Sequence, residues 1–561
     1  MTWSKSITPN SRKGRQNAKC EGEKQGWRGL FSIVAFPGRW SAISLLAAII
    51  LVIYPLSVQA EENAGAAETQ PAEVPAQDKN HNWFDYSLPK GGFQIYKSED
   101  GKTRLSLGGE IFARYAYWNW FEGPSHDNKY SYGFQRTRLN LKFTSECWTV
   151  LVQPQYVHMF GVPDDAFKKP PEGPLGMGGL YYKHNDSTNP RNVGFHQAYL
   201  AFHSPGKNRW LFKVGRFEYS DGLEVLRKTD GKHFNALKKM RLGDRMISPF
   251  GWSAFGRSFD GALGQYDQEK INVTTSFFYP TQGGWEEDIN ETIGNIKIAT
   301  FTLTAKRGSF IPGMELAAFY YNYRDDRHVT QRVDNTGKMF VPNGADINIH
   351  MFGGHVAGVY DVGPGKLDLL LWGGAQFGDW YELDQSAYAM TAEVGYQFTR
   401  VFAKPWLRVG YYVGSGDGDP SDGDHETFFQ MAPGTRKYNL LPYCDLMNNE
   451  DLFVQLILHP IKNLMLRTDY HILRLNEEDD RWYMGSGPTQ DNGRIFGYIG
   501  RPTHGKDNLA QEIDILVNYA VNPHISLLFS YSHIFGGNVV EEVYSEDDDA
   551  DYLSIGILFK F

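Results

Sequence analysis

Residues 551–561 read DYLSIGILFKF, and their side chains alternate between two faces. One face carries Leu553, Ile555, Ile557, Phe559 and Phe561; the other carries Tyr552, Ser554, Gly556, Leu558 and Lys560. A two-residue period is that of a β-strand, because successive side chains point to opposite sides of the sheet. An apolar face opposite a more polar one predicts a strand that separates lipid from water.

The same period recurs along the chain, as in residues 103–119 and 464–475. In the first of these, apolar residues alternate with Arg104, Ser106, Glu110 and Arg114. A sheet that crosses lipid must close on itself, because every backbone polar group there needs a hydrogen-bond partner. We therefore predict an all-β fold: a transmembrane antiparallel β-barrel.

The strand count and the connections support a barrel of about 18 strands. Strands are predicted to begin near residues 103, 132, 148, 192, 209, 256, 271, 294, 313, 349, 365, 386, 404, 451, 464, 509, 525 and 551. Short connections such as 204–208 and 459–463 alternate with long ones such as 219–255 and 414–450. This pattern predicts short periplasmic turns and long extracellular loops. A soluble sandwich or propeller is the alternative, but it does not explain the alternation or the terminal strand ending in Phe561.

Composition agrees with a membrane barrel. The 561 residues are 15% aromatic and include 59 glycines, which argues against a helical bundle or a disordered chain. The formal net charge is -9, and three cysteines are too few for a disulfide scaffold.

The N-terminal sequence has the pattern of a secretory targeting signal. Residues 1–60 combine a basic stretch, an apolar run from Ala42 to Ile53 and the small-residue pattern before Glu61. We expect residues 1–60 to be a signal peptide cleaved after Ala60, an uncleaved anchor being the weaker alternative. Residues 61–100 are then a flexible periplasmic segment, and residues 101–561 are the barrel. This order predicts the outer membrane of a Gram-negative type of cell.

Charged residues are predicted to line the lumen. Alternation points inward the arginines Arg136, Arg138, Arg408 and Arg467, together with the carboxylates Glu393, Asp469, Glu512 and Asp514. Arginine pairs with carboxylate or phosphate through two parallel hydrogen bonds, so an anion pathway is one interpretation. The other is a structural ladder in which arginines and carboxylates neutralise each other.

Two loops leave alternatives open. The basic segment from Arg227 to Arg245 either folds into the pore as a constriction or contacts lipopolysaccharide phosphates outside. The acidic loop from Asp417 to Glu426 has the carboxylate density of a Ca²⁺ site but lacks the full residue spacing of a hand-type calcium loop. It is therefore either a Ca²⁺ site or a solvated acidic turn. We expect no other metal or cofactor, no nucleic-acid partner and, for want of an organised nucleophile, no enzyme activity.

Several motifs in order resemble the bacterial alginate export family of outer-membrane porins. They are HQAYL at 196–200, KVGR at 213–216, RSFDG at 257–261, GSGD at 414–417, RTDYH at 467–471, QEID at 511–514 and SYSHIF at 530–535. The resemblance covers about residues 100–561. It implies an eighteen-stranded barrel whose electropositive constriction passes an anionic uronate polymer outward, with periplasmic secretion partners.

The resemblance also implies pore arginines at Arg138, Arg216, Arg257, Arg408 and Arg467. Arg216 and Arg257 share the register of apolar neighbours, so their placement in the lumen requires a bulge or an earlier strand end. The expected function is passive passage of an alginate-like polymer through an arginine-lined lumen. The alternative is a general or small-anion porin of the phosphate type, to which inward arginines suit equally well.

Overall fold

The computed structural model describes residues 92–561 apart from 205–208, 330–331, 339–340, 342–344, 435–437, 492 and 494. The predicted signal peptide, and most of the predicted periplasmic segment, lie outside the described residues. The end of that segment forms a short strand, β1 (Phe93–Lys97), so β-structure begins before residue 101.

Strands make up about half of the described chain and nearly all of its regular secondary structure. In chain order they are β1, β2 (Arg104–Asn119), β3 (Lys129–Thr144), β4 (Trp148–Phe160), β5 (Arg191–His203), β6 (Arg209–Phe217), β7 (Phe259–Asp267), β8 (Ile271–Pro280), β9 (Ile296–Ala305), β10 (Met314–Asp325), β11 (Ile347–Val362), β12 (Gly365–Trp380), β13 (Leu383–Phe398), β14 (Trp406–Gly414), β15 (Asp424–His425), β16 (Asn449–Leu458), β17 (Leu464–Arg474), β18 (Trp482–Gly485), β19 (Tyr498–Arg501), β20 (Asn508–Ala520), β21 (Ile525–Gly536) and β22 (Asp549–Lys560).

Eighteen of these strands form a closed barrel, which confirms the predicted fold. Each pairs antiparallel with the next, and β22 pairs with β2 from Glu110↔Lys560 to Asn119↔Asp551, which closes the sheet. The short strands β1, β15, β18 and β19 are the additions to the barrel. All eighteen begin within about three residues of the predicted positions.

The alternation of residues 551–561 has the predicted consequence. Ile555 and Ile557 are 59% and 47% exposed on the outside of the barrel, whereas Tyr552 and Ser554 are buried inside. Large apolar side chains are exposed in the same way on most other strands, which gives the barrel the apolar exterior that lipid requires.

Connections alternate between short turns and long loops with one exception. Residues 381–382 alone join β12 to β13 at the end of the barrel that otherwise carries the long loops. The α-helices of the described chain lie in those loops, at Gly176–Asn185, Lys232–Leu237 and Asn538–Glu541; Lys228–Asp230 forms a 3₁₀ turn and Lys238–Leu242 a π-helical turn. In the described part of the chain, no helix has the length and apolar character to cross a membrane.

The interior of the barrel is packed with loop residues and is more apolar than expected. Inward-facing Phe112, Trp372 and Phe453 are buried in clusters that also contain loop residues such as Phe429 and Tyr498. An inward position faces protein rather than water wherever a loop fills the lumen, so aromatic residues are stable there. Sequence alternation therefore separates lipid from interior without making the interior uniformly polar.

Candidate functional site: an arginine cluster in the lumen

The long connection between β6 and β7, residues 218–258, crosses the lumen. We call it the crossing segment. Lys238 in this segment contacts Glu315 on β10 at 2.5 Å, and Arg241 contacts Glu393 on β13 at 2.8 Å. At its other end, the carbonyl of Phe255 accepts a hydrogen bond from Gln155 on β4. Lys238, Arg241 and Arg245 thus lie inside the barrel, which favours the constriction over the lipopolysaccharide interpretation.

A buried carboxylate holds the fold of the crossing segment itself. Asp221 accepts backbone hydrogen bonds from Met246 at 3.1 Å and Ile247 at 3.0 Å, and its own N–H donates to the Ile247 carbonyl. Burial raises the pKa of Asp221 to about 7. The two ends of the basic stretch are therefore tied together beside the barrel wall.

Three fully buried arginines converge on Glu393. Arg241 donates to Oε2 at 2.8 Å, Arg245 to Oε1 at 3.2 Å and Arg408, from β14, to Oε2 at 2.9 Å. Arg241 also lies over the rings of Tyr438 and Phe453. We call Arg241, Arg245, Arg408 and Glu393 the arginine cluster.

One further carboxylate, Asp368 on β12, belongs to this region. It pairs with Arg408 and accepts hydrogen bonds from Trp406 Nε1 at 2.7 Å and His233 Nε2 at 2.9 Å. Burial lowers the pKa of His233 to about 4, so this histidine is neutral near pH 7. Three guanidinium groups then face two carboxylates, which leaves one positive charge in excess at this cluster.

A second group of arginines, on β3, holds the far end of the crossing segment. Arg136 donates to the carbonyls of Gly251 and Ser253, both at 3.0 Å, and Arg138 donates to Gln155 at 2.6 Å. Both arginines also lie within 4 Å of Glu110 on β2. With the crossing segment in this position, Arg136 and Arg138 are arranged as in the ladder interpretation.

Arg216 lies on the outside of the barrel rim. It shares the register of Phe212 and Val214, which are 50% and 57% exposed, and it pairs through two hydrogen bonds with Asp260. Its remaining donors reach the carbonyls of Ile289 and Asn290 in the β8–β9 loop. The outward register needs no bulge, so Arg216 is not part of the pathway proposed below.

Arg257 lies inside the barrel without a bulge, because β7 begins only at Phe259 and Arg257 precedes it. Its neighbour in register, Phe259, is buried in the interior against Phe278. Arg257 donates to the carbonyls of Ser486 at 2.6 Å and Pro488 at 3.3 Å, so it ties the crossing segment to the β17–β20 loop. The apolar neighbours of Arg257 indicated a lipid-facing position only because inward-facing residues were expected to be polar and in contact with water.

The remaining predicted residues lie together on β17 and β20. Arg467, Asp469, Glu512 and Asp514 are all buried on the inward face, and Arg467 pairs with Asp469. Asp469 lies directly across from Asp514 in the strand pairing.

The acidic loop packs against a neighbouring loop through two buried carboxyls. The N–H of Asp417 donates to Asp480 at 3.0 Å. Burial, followed by repulsion from Asp480, raises the pKa of Asp417 to about 7, and burial raises that of Asp480 to about 6. Asp419 and Asp422 accept hydrogen bonds from nearby backbone groups of their own loop. The Ca²⁺ expectation for this loop stays a prediction.

Sequence reasoning missed a serine–histidine–glutamate arrangement. Ser258 Oγ lies 3.2 Å from His196 Nδ1, and His196 Nε2 lies 2.8 Å from Glu218. In hydrolytic triads the serine faces Nε2 instead, and here the hydroxyl donates at 2.5 Å to the His196 carbonyl. The serine proton is thus already committed, and the arrangement is structural.

The family described as "Alginate export" matches residues 175–552. No curated protein sequence matches the chain. Similar solved structures include Acinetobacter baumannii OccAB4 (12% identity, TM-score 0.47) and Pseudomonas aeruginosa OpdK with vanillate (8%, 0.48). In both comparisons 81% of this chain and 98% of the other are covered.

Proposed function

The chain belongs to the alginate export family, as its motifs predicted, and from that premise we propose that its barrel passes an anionic uronate polymer of the alginate type outward. Family membership and the closed barrel support an outer-membrane channel. The observation that carries the proposal of an anionic polymer is the convergence of Arg241, Arg245 and Arg408 on Glu393.

The arginine cluster suits a passing carboxylate chemically. Each guanidinium offers several N–H donors in a fixed plane, which match the two oxygens of a carboxylate. A uronate carboxylate that approaches the cluster replaces Glu393 as the acceptor, and Glu393 takes the arginines back when the sugar moves on. Such exchange keeps binding weak enough for release, which conduction requires.

Further pairs extend the pathway along the lumen. Arg138 with Glu110, and Arg467 with Asp469, repeat the combination of a guanidinium and a resident carboxylate. We propose that they act in series with the arginine cluster. Passage also requires the crossing segment to move, because its residues occupy the lumen between β3 and β13.

A channel of this kind has no energy source of its own, so we propose that periplasmic secretion partners deliver the polymer. Cleavage after Ala60 would release the barrel for the outer membrane. Nothing in the proposed mechanism uses bond cleavage, in agreement with the structural role of Ser258 and His196.

A small-anion porin is the second candidate, since an excess guanidinium also attracts phosphate. Current block distinguishes the two functions. The full-length chain, purified in detergent and inserted in planar bilayers, is exposed to oligouronate or to inorganic phosphate at equal charge concentration. We expect oligouronate to block the current and phosphate not to block it.

A matched pair of variants assigns the block to the lumen. Arg408→Gln should weaken block by oligouronate, whereas Arg216→Gln, which alters an arginine paired outside the lumen, should leave it unchanged. Equal block by phosphate, or block that is insensitive to Arg408→Gln, would contradict the polymer proposal.

A further inference from the structure

We propose that the lumen contains a binding site for a divalent transition metal, formed by Asp469, His471 and Asp514. The three side chains point inward from β17 and β20, and each is at most 1% exposed. One ligand atom from each residue lies within 4.8 Å of the others. One imidazole nitrogen and two carboxylate oxygens form a ligand set that suits Zn²⁺.

Two of the ligand atoms are buried without a partner. His471 Nε2 and Asp469 Oδ1 have no hydrogen-bond partner among the described residues. His471 Nε2 lies 4.0 Å from Asp469 Oδ2, which is too far for a hydrogen bond. Tetrahedral Zn²⁺, with bonds of about 2.0–2.1 Å, holds neighbouring ligand atoms roughly 3.4 Å apart, so small side-chain movements would complete the site.

Surrounding residues orient the ligands. Asp451 lies 2.9 Å from His471 Nδ1, so it accepts the proton there and leaves Nε2 to offer its lone pair to a metal. A carboxylate behind a ligating histidine is the usual support in zinc sites. Asp514 accepts hydrogen bonds from the Ser532 hydroxyl and from the Leu440 N–H at 2.9 Å.

Charge also favours a cation. Four buried carboxylates, Asp451, Asp469, Glu512 and Asp514, face Arg467 and His471, while Arg241, the neighbouring cation, is bound by Glu393. Buried charge without a counter-charge is costly. With His471 neutral, a divalent cation offsets two of the three unbalanced negative charges. An imidazolium in the same place would leave its Nε2 proton without an acceptor within hydrogen-bond distance.

Metal content of the full-length chain tests the site. The chain is purified in detergent, treated with a chelator, dialysed against Zn²⁺ and assayed by elemental analysis. Binding of Co²⁺ is followed by its visible absorption. We expect one metal ion per chain and the intense visible bands of tetrahedral Co²⁺. The absence of stoichiometric Zn²⁺ and of those bands from the unaltered chain would overturn the proposal without any variant.

Variants place the metal at these residues. His471→Gln should abolish stoichiometric binding, and Asp451→Asn should weaken it about 10- to 100-fold because only the supporting carboxylate changes. His233→Gln is the matched control, since His233 is also a buried histidine paired with a carboxylate in the lumen. Retention of the metal in His471→Gln, or its loss in His233→Gln, would contradict the assignment. Asp469 also belongs to the proposed pathway, but metal content is measured without current block, so failure of the metal site and failure of the proposed function are distinguishable.

Discussion

Replacement of Glu393 by Gln should release the crossing segment from the barrel wall. Arg241 and Arg245 are the segment's two guanidinium groups on this carboxylate, and both are fully buried. Removal of one partner from a buried ion pair costs about 3–5 kcal/mol, because a charge is left buried without compensation. At 1.36 kcal/mol per tenfold change, the undocked fraction should rise roughly 10²- to 10⁴-fold.

Single-channel recording in planar bilayers measures this effect directly. Glu393→Gln should increase the fraction of time spent in the conducting state, and it should shift selectivity toward anions because a negative charge has left the lumen. Asp260→Asn is the matched control: it also deprives an arginine, Arg216, of its carboxylate, but outside the lumen. Unchanged open probability in Glu393→Gln, or an equal change in Asp260→Asn, would refute the docking role of Glu393.

Three further outcomes are expected. Because the pKa values of Asp417 and Asp480 are raised in the folded protein, packing of the acidic loop favours their protonated forms. The packing of this loop is therefore most stable below about pH 4, the pKa of an unperturbed Asp. This packing should weaken as the pH rises through 6 to 7. Hydrogen exchange in residues 414–426, corrected for intrinsic rates, should therefore be faster at pH 8 than at pH 5, and Asp480→Asn should reduce the difference. Equal exchange at the two pH values in the unaltered chain would contradict the prediction. Trp482→Ala should lower the unfolding temperature, because truncation of a fully buried tryptophan costs about 3–5 kcal/mol; an unchanged temperature would mean that the loop cluster is not well packed. A PEG-maleimide should label half-buried Cys147 in the β3–β4 turn but not buried Cys444. Because this turn is predicted to be periplasmic, the reagent should reach Cys147 only after the outer membrane is permeabilised. Labelling of Cys147 in intact cells would contradict the predicted orientation.

Lipid is the reason that the fold could be predicted so fully from sequence. It demands an apolar side chain at every second position, so even the terminal strand, from Ile555 to Phe559, shows its two faces without further information. The same alternation pointed Arg136, Arg138, Arg408 and Arg467 inward, and the structure places them there.

Alternation could not describe what fills the lumen. Apolar Phe259 gave Arg257 the register of a lipid-facing residue, but Phe259 is buried inside the barrel against Phe278 of β8 rather than facing lipid. Arg241 and Arg245 were recognised only as part of a basic loop, since a loop has no period from which its position follows. Long-range contacts such as Arg241 with Glu393 are set by tertiary packing, which local sequence patterns do not contain.

The reversal potential of the full-length chain under a KCl gradient tests the central claim most directly, because it reports the sign of the charge that passing ions meet. The arginine cluster predicts anion selectivity, a marked decrease of that selectivity in Arg241→Gln and Arg408→Gln, and no change in Arg216→Gln. Cation selectivity in the unaltered chain, or the same potential in all four proteins, would contradict an anion pathway through the arginine cluster.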